Sequence, residues 1–310
     1  MSALASDNPG TSQAFCPACG QETAQRFLYV KNGCAILACE SCGIGRAETS
    51  QFDPEAYYTG DYFAGGHDDG YADYLGAENV LRREFARVVE TVRKYRPGGR
   101  LLDVGCAYGF FLQEAKRYYQ VAGLELAEDA VRHAQGQGLD VRRGIADAAT
   151  LAQFGPQDVI TLLDVIEHVP DPRETLSVCA ANLNPGGVIL MTTGDFGSQV
   201  ARIAGKGWRL MTPPQHLWFF TRASMENLAR SLGLEFVAFD HPWKVVPLSL
   251  IVYQLRRMAG MKPASDGAPA GAGIGLPVNL FDAMRVVMRK PATASATAAP
   301  LAPAPEPQAS

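Results

Sequence analysis

The sequence has no apolar run of the roughly 18–20 residues needed to cross a bilayer. Its longest, Val245 to Val252, is short and interrupted by Pro247 and Ser249. It has no surplus of positive charge either: 28 Lys and Arg stand against 32 Asp and Glu, a net charge of −4. Such a balance is a poor match for a protein that wraps a phosphate backbone. The opening MSALASDNPG lacks the basic start and apolar stretch of a secretory leader. These absences predict a cytoplasmic chain whose thiols stay reduced. Peripheral membrane contact stays open, because Arg256 and Arg257 lie close to the 245–252 stretch. What is present is ordinary globular composition, 47% hydrophobic and 19% charged, which excludes disorder throughout. A length of 310 residues accommodates one large domain with appendages. Nothing in the sequence fixes an oligomeric state.

Four of the seven cysteines form two C-x2-C knuckles, Cys16-Pro-Ala-Cys19 and Cys39-Glu-Ser-Cys42, each followed by a glycine, Gly20 and Gly43. Two thiolates on a tight turn reach one ion, and two such turns close a four-sulfur tetrahedron with no position left for chemistry. The spacing predicts a structural Zn2+ in an amino-terminal zinc ribbon over residues 1–50. So short a segment has little core of its own, and metal would supply much of its folding energy. Its bases, Arg26, Lys31 and Arg46, are outnumbered by Asp7, Glu22, Glu40 and Glu48, which offers little to a nucleic acid. Cys34, Cys106 and Cys179 read as bystanders.

Residues 51–96 form an aromatic-rich connector and a helix. Phe52, Tyr57, Tyr58, Tyr62, Phe63, Tyr71 and Tyr74 fall among glycines, and read equally as a pocket lid or as packing. Helical spacing runs from Ala77 to Tyr95, stopped by Pro97-Gly98-Gly99. Over 97–260 short apolar runs at Leu101–Val104, Val121–Leu124, Val159–Leu163 and Val188–Thr192 alternate with helical patterns at Phe110–Tyr118, Glu128–Gln137 and Arg173–Leu183. That alternation predicts an α/β, doubly wound parallel sheet. A helix at Thr221–Leu232, a strand at Leu234–Phe239 and a helix at Pro247–Ala259 follow. Residues 261–275 read as a linker, 276–290 as a closing strand of the same sheet, and the Ala/Pro-rich 291–310 as a disordered tail.

The first strand of the sheet ends in Asp103-Val104-Gly105-Cys106-Ala107-Tyr108-Gly109. In such sheets the ligand crevice lies outside the strands' carboxyl ends. Gly105 and Gly109 let a ligand approach the backbone there, and the next helix presents free N–H groups. Ala107 and Phe110 stand where a dinucleotide fingerprint would need glycine, which disfavours NAD. Glu125 closes the second strand, placed to accept both hydroxyls of a ribose. Asp147, after the short strand Asp140–Arg143, is a candidate partner for an adenine amine.

Together, LLDVGCAYGFFL, GLELAE, Ile145-Ala146-Asp147 and ITLLDVIEHVPDP resemble the class I S-adenosylmethionine-dependent methyltransferases from about 95 to 239, and DAMRVVMRKP extends the likeness to about 291. With the ribbon in front, the chain looks like the bacterial zinc-ribbon methyltransferases related to ubiquinone-pathway and deoxysugar enzymes. The resemblance implies a Rossmann-like seven-stranded sheet whose last strand is antiparallel, and S-adenosyl-L-methionine as cofactor. It implies Asp103, Gly105 and Gly109 around the methionine portion, Glu125 at the ribose, Asp147 at the adenine and Asp164 in the pocket wall. Ala107 and Leu126 complete the cofactor set, although the family often has glycine at the first of them.

Methyl transfer is an in-line displacement, so the protein mainly positions the nucleophile and removes its proton. His168 follows the fourth strand; His216 lies in PPQHLWFFT, between the fifth strand and the next helix. Related deoxysugar C-methyltransferases carry a Glu-His pair in this second region that is implicated in proton removal, and here it is Gln215-His216. His216 is therefore the expected base and His168 its support. Asp164-Val165-Ile166-Glu167-His168 replaces the Asn/Asp-Pro-Pro-Tyr or Phe of amine-methylating nucleic-acid enzymes. A small-molecule acceptor attacked through oxygen or carbon is expected: a sugar, a quinone-like ring or a lipid or glycan precursor. The alternatives are an RNA methyltransferase that uses the ribbon for substrate binding, and a non-catalytic cofactor-binding scaffold. Trp208, Trp218 and Phe220 read as acceptor wall or as core.

Overall fold

A computed structural model describes residues 11–49, 74–247 and 275–292. The expected aromatic connector before Tyr74, the helix beyond Pro247, the linker as far as residue 274 and the tail from 293 lie outside the described residues.

The chain opens with four antiparallel strands, β1 (Thr11–Cys16), β2 (Gln21–Lys31), β3 (Cys34–Cys39) and β4 (Gly45–Glu48). Both cysteine knuckles are closed turns. The Gly20 N–H donates to the Cys16 carbonyl and the Gly43 N–H to that of Cys39, each at 2.8 Å. Both glycines sit at positive φ, +71° and +74°, where a Cβ would be strained.

Helix α1 (Glu78–Tyr95) leads into β5 (Gly99–Val104), α2 (Phe110–Ala115), β6 (Tyr119–Glu125), α3 (Glu128–Gly136) and β7 (Val141–Arg143). The chain continues through α4 (Ala148–Ala152), β8 (Gln157–Leu163), α5 (Pro172–Ala181), β9 (Leu183–Gly194) and α6 (Gln199–Ala204). Then come β10 (Trp218–Phe219), α7 (Arg222–Ser231), β11 (Glu235–Asp240), β12 (Lys244–Pro247), β13 (Gly275–Val278) and β14 (Ala283–Arg289). Local chemistry sets several boundaries. Asp171 caps α5 by accepting from the Arg173 and Glu174 N–H groups, with Pro172 preset at the first helical position. Thr221 and Ser224 cap α7 reciprocally.

Seven strands form one sheet in the order β11-β14-β9-β8-β5-β6-β7, with β14 antiparallel to both neighbours. Successive residues along each strand feed two cores. Leu101, Val159, Val188 and Leu190 pack with Val89 and Val92 of α1, Phe111 of α2 and Val131 of α3. Leu102, Ile160, Leu162 and Met191 pack with Leu176 of α5 and Met225 and Leu228 of α7. Both faces are covered, so these strands carry unbroken apolar runs rather than alternation. The strand order reverses beside β5, whose neighbours are β6 and β8, and this opens the ligand crevice at their carboxyl ends.

The ribbon sheet gains a fifth strand from outside residues 1–50, because β10 from the second half of the chain pairs with β4. The expected helix start at Pro247 is instead the end of β12, paired with β13, so that the region expected to hold one closing strand holds β13 and β14. Among the described residues no helix is long and apolar enough to cross a membrane.

Packing beneath the crevice is tight at Gly123 of β6. A Cβ there would lie 2.6 Å from Cys106 Sγ and 2.7 Å from Leu112 Cδ1. Gly123→Val is expected to lower the unfolding free energy by about 2–3 kcal/mol, read from urea melts; an unchanged midpoint would contradict the packing described.

Candidate active site

The turn after β5 is pinned to the end of β6: the Gly105 and Cys106 N–H groups both donate to the Leu124 carbonyl, at 2.7 and 3.1 Å. Gly105 (φ +71°) has no room for a side chain, since a Cβ would lie 2.5 Å from Val165 Cγ2. Gly109 (φ +81°) would strike Leu139 Cδ1 at the same distance. Ala107 also adopts positive φ, +46°, and donates its N–H to Glu125 Oε2 at 2.8 Å.

Glu125 is buried, and its Oε1 accepts from the Leu126 and Ala127 N–H groups at 2.7 and 2.8 Å. Burial raises its pKa while these three amides pull the other way. A carboxylate has about four acceptor positions. Three are taken here, two on Oε1 and one on Oε2, which leaves room for a further donor.

Asp103 is buried at the end of β5 and accepts from Thr161 Oγ1 at 2.6 Å. Burial, with a smaller contribution from the charge of Glu125, holds its carboxyl up at about 7. Asp164 follows β8 at φ +56°; its N–H donates to the carbonyl and the hydroxyl of Thr192, whose Oγ1 donates back to Asp164 Oδ1 at 2.9 Å. Asp147 caps α4, its Oδ1 accepting from the Thr150 N–H at 2.7 Å, and that bond lowers its pKa.

Asp103, Gly105, Asp164 and Thr192 line one crevice, joined by Tyr74 and by Pro242 and Trp243 beyond β11. Ala107, Gly109, Glu125, Leu126 and Asp147 do not line it. Of the residues expected at the methionine end, Asp103 and Gly105 line this crevice, and Glu125 is joined to the same turn through the Ala107 N–H. Tyr74 stacks on Phe110 (5.4 Å between centroids) and on Tyr108 (5.7 Å), so the one described aromatic of the connector both packs and lines the crevice.

The two histidines read separately from the sequence meet. Their ring centroids are 4.7 Å apart, edge to face. His168 Nδ1 lies 2.9 Å from the Gln215 carbonyl and His216 Nδ1 lies 2.8 Å from that of Leu210. A carbonyl only accepts, so each Nδ1 carries a proton, and a neutral His216 keeps its lone pair on Nε2. Burial, reinforced by His168, brings His216 down to about 3, so it is neutral at physiological pH. Glu167, missed in the sequence although it adjoins His168, joins them: one donor atom from each of the three lies within 4.8 Å of the others. Such a set can receive a proton or hold a divalent cation. Trp208 and Phe220 are core, and Trp208 Nε1 donates to Asp282 at 3.0 Å. Trp218 Nε1 donates to the Val169 carbonyl.

The four knuckle cysteines also converge, Cys16 Sγ to Cys42 Sγ at 3.7 Å and Cys19 Sγ to Cys39 Sγ at 3.9 Å. A tetrahedron with metal–sulfur arms of about 2.3 Å has edges of about 3.8 Å. The geometry therefore fits a four-thiolate zinc site and is far from a disulfide.

Two measurements check this description. Ala107→Gly relieves the left-handed strain and is expected to raise stability by about 0.5–1 kcal/mol in urea melts. For His216, the unfolded chain takes up a proton near pH 6.5 and the folded one only near 3, so stability falls as the pH drops through that window. Acidification from pH 7 to 5 is expected to cost about 2 kcal/mol that His216→Gln does not lose.

Known proteins are similar to this chain in sequence over part of its length. A family described as a methyltransferase domain matches residues 77–238. The ubiquinone biosynthesis O-methyltransferase of Methylococcus capsulatus is 33% identical over 185 residues, covering 56% of this chain and 76% of that protein. The protein of the same name from Idiomarina loihiensis is 32% identical over 156 residues, 46% of this chain, and the match spans 64% of its length, just under two thirds. A solved S-adenosylmethionine-dependent methyltransferase from Archaeoglobus fulgidus aligns with a TM-score of 0.48 at 17% identity, over 70% of this chain and 99% of that one. With over half its length inside the methyltransferase-domain match and a seven-stranded sheet whose β14 runs against its neighbours, the chain belongs to the class I S-adenosylmethionine-dependent methyltransferases.

Proposed function

We propose that the protein moves the methyl group of S-adenosylmethionine to a hydroxyl oxygen of a small, quinol-like aromatic metabolite. The observation that supports this reading is the His168–His216 pair, each ring fixed through Nδ1 by a backbone carbonyl, with His216 close enough to feel the charge of Asp164, which lines the crevice with Asp103 and Gly105. The acceptor class comes from the names of the relatives, and a sugar hydroxyl or an acidic carbon is the runner-up.

When bound, the cofactor supplies a methyl carbon made electrophilic by its sulfonium. At the methionine end, buried Asp103 offers a carboxylate that a nearby positive charge would ionise. Glu125, with one acceptor position left, would take one ribose hydroxyl, and Asp147 would face the adenine with the oxygen not used for capping. His216 receives the acceptor's proton on Nε2. A base held near 3 does not strip a hydroxyl in advance, so proton removal accompanies formation of the new C–O bond. The new bond would replace the methyl–sulfur bond of the bound cofactor, and the proton on His216 then passes to solvent. His168, fixed by the Gln215 carbonyl, holds the opposing wall.

The four cysteines would hold structural zinc. Thiolates of this kind persist in a reducing compartment, which favours the cytoplasm.

The test is a panel of catechols, hydroquinones, sugar nucleotides and RNA, supplied with radiolabelled S-adenosylmethionine. Methylation of a hydroxylated ring is expected, with His216→Ala lowering kcat by about 10²–10⁴-fold at unchanged cofactor affinity. Because His216 is neutral above about pH 3, its titration should leave kcat level from pH 8 down to 5. Labelling of RNA, of nothing, or an undiminished His216→Ala enzyme would overturn the reading.

A further inference from the structure

We infer that the amino-terminal ribbon is a positioning element for the histidine pair: with metal in its four-cysteine cluster it fixes the loop from which His216 faces His168. The functional weight of this placement rests on the proton-transfer reading above; the placement itself rests on hydrogen bonds and shared core.

One peptide segment carries the coupling. Leu217 follows His216 directly, and its carbonyl accepts from the Ala47 N–H just inside β4, at 2.9 Å. The next two residues are β10, paired Trp218 with Arg46 and Phe219 with Gly45. On its other side the same segment reaches the fourth-strand loop. The Leu217 and Trp218 N–H groups both donate to the carbonyl of Glu167, the residue before His168, at 2.9 and 3.2 Å. The ribbon edge, the residue after one histidine and the residue before the other are thus joined in a single hydrogen-bonded row.

Two side chains tie the ends of this loop to the ribbon. Asn32, in the turn between β2 and β3, donates through Nδ2 to the Pro213 carbonyl at 2.8 Å. Thr221 Oγ1 donates at 2.8 Å to the carbonyl of Cys42, itself one of the four clustered cysteines. The apolar contacts follow the same division. Cys34 and Ile36 of the ribbon pack with Trp208, Met211 and Phe219, and the knuckle cysteines share a core with Phe220, Met225 and Leu228. The cofactor-side groups are held elsewhere: Asp103 by Thr161, Ala107 by Glu125, and Gly105 by Leu124. Loss of the ribbon's metal should therefore disturb the histidine pair and spare the cofactor cradle.

The experiment compares histidine ring NMR spectra and S-adenosylhomocysteine calorimetry for the zinc-loaded full chain, the chelator-stripped chain and two zinc-loaded variants. Asn32→Gly removes the amide tether at a position whose φ of +49° glycine accepts. Gly45→Val pushes on β10, because a Cβ there would stand 3.0 Å from Phe219 Cβ. Stripping and both variants are expected to move or broaden the His168 and His216 resonances, leave His133 and His241 in place, and change the S-adenosylhomocysteine Kd by less than about threefold. Should stripping unfold the chain, seen as collapse of His133 as well, the two zinc-loaded variants decide on the same readouts. Unmoved His168 and His216 signals in those variants, or a Kd that rises in step with their disturbance, would overturn the inference. Failure of the proton-transfer reading is seen separately, in turnover by His216→Ala.

Discussion

The turn between β5 and α2 is the constraint on which the site depends. It must lay a left-handed backbone against the ends of two parallel strands, and it does so with its own amides: Gly105 and Cys106 on the Leu124 carbonyl, Ala107 on Glu125. Those bonds offset the burial of Glu125, since three amides stabilise its charge. They also bring the ends of β5 and β6 together, so that Asp103 stands at the mouth of the crevice. A carboxyl held near 7 by burial at that point is a group whose ionisation awaits a positive ligand.

The surroundings of the histidine pair are built differently. The turn after β5 is held by neighbouring strands of one sheet, whereas the pair joins two loops far apart in sequence that also bond to the amino-terminal strands. Trp208, Arg209 and Asp282 fasten the beginning of the 208–216 stretch to the start of β14, and the ribbon fastens its end. A loop held at both ends keeps its histidine in one orientation.

Much of the fold was legible in the sequence, because a sheet covered on both faces demands continuous apolar strands, and those runs stand out between helical patterns. Gly20, Gly43, Gly105 and Gly109 were legible for a similar reason: each occupies a backbone conformation that side chains resist. What could not be read depends on distant partners. A two-residue strand such as β10 has no periodicity, and only the sheet edge of the ribbon makes it a strand. Pro247 closes β12 because 275–278 lies alongside it, a pairing that local pattern does not encode. The approach of His168 to His216, and the part played by Glu167, follow from topology. Asp147 and Glu125 stand out in the sequence as carboxylates after strands, while their bonds to backbone amides depend on how the chain folds around them.

The most direct test of the central claim is calorimetric titration of S-adenosylmethionine into the zinc-loaded protein at pH 6, in two buffers of different ionisation enthalpy. The account predicts one cofactor per chain, with release of part of a proton as Asp103 ionises beside the positive ligand. The absence of any binding heat in either buffer would contradict it.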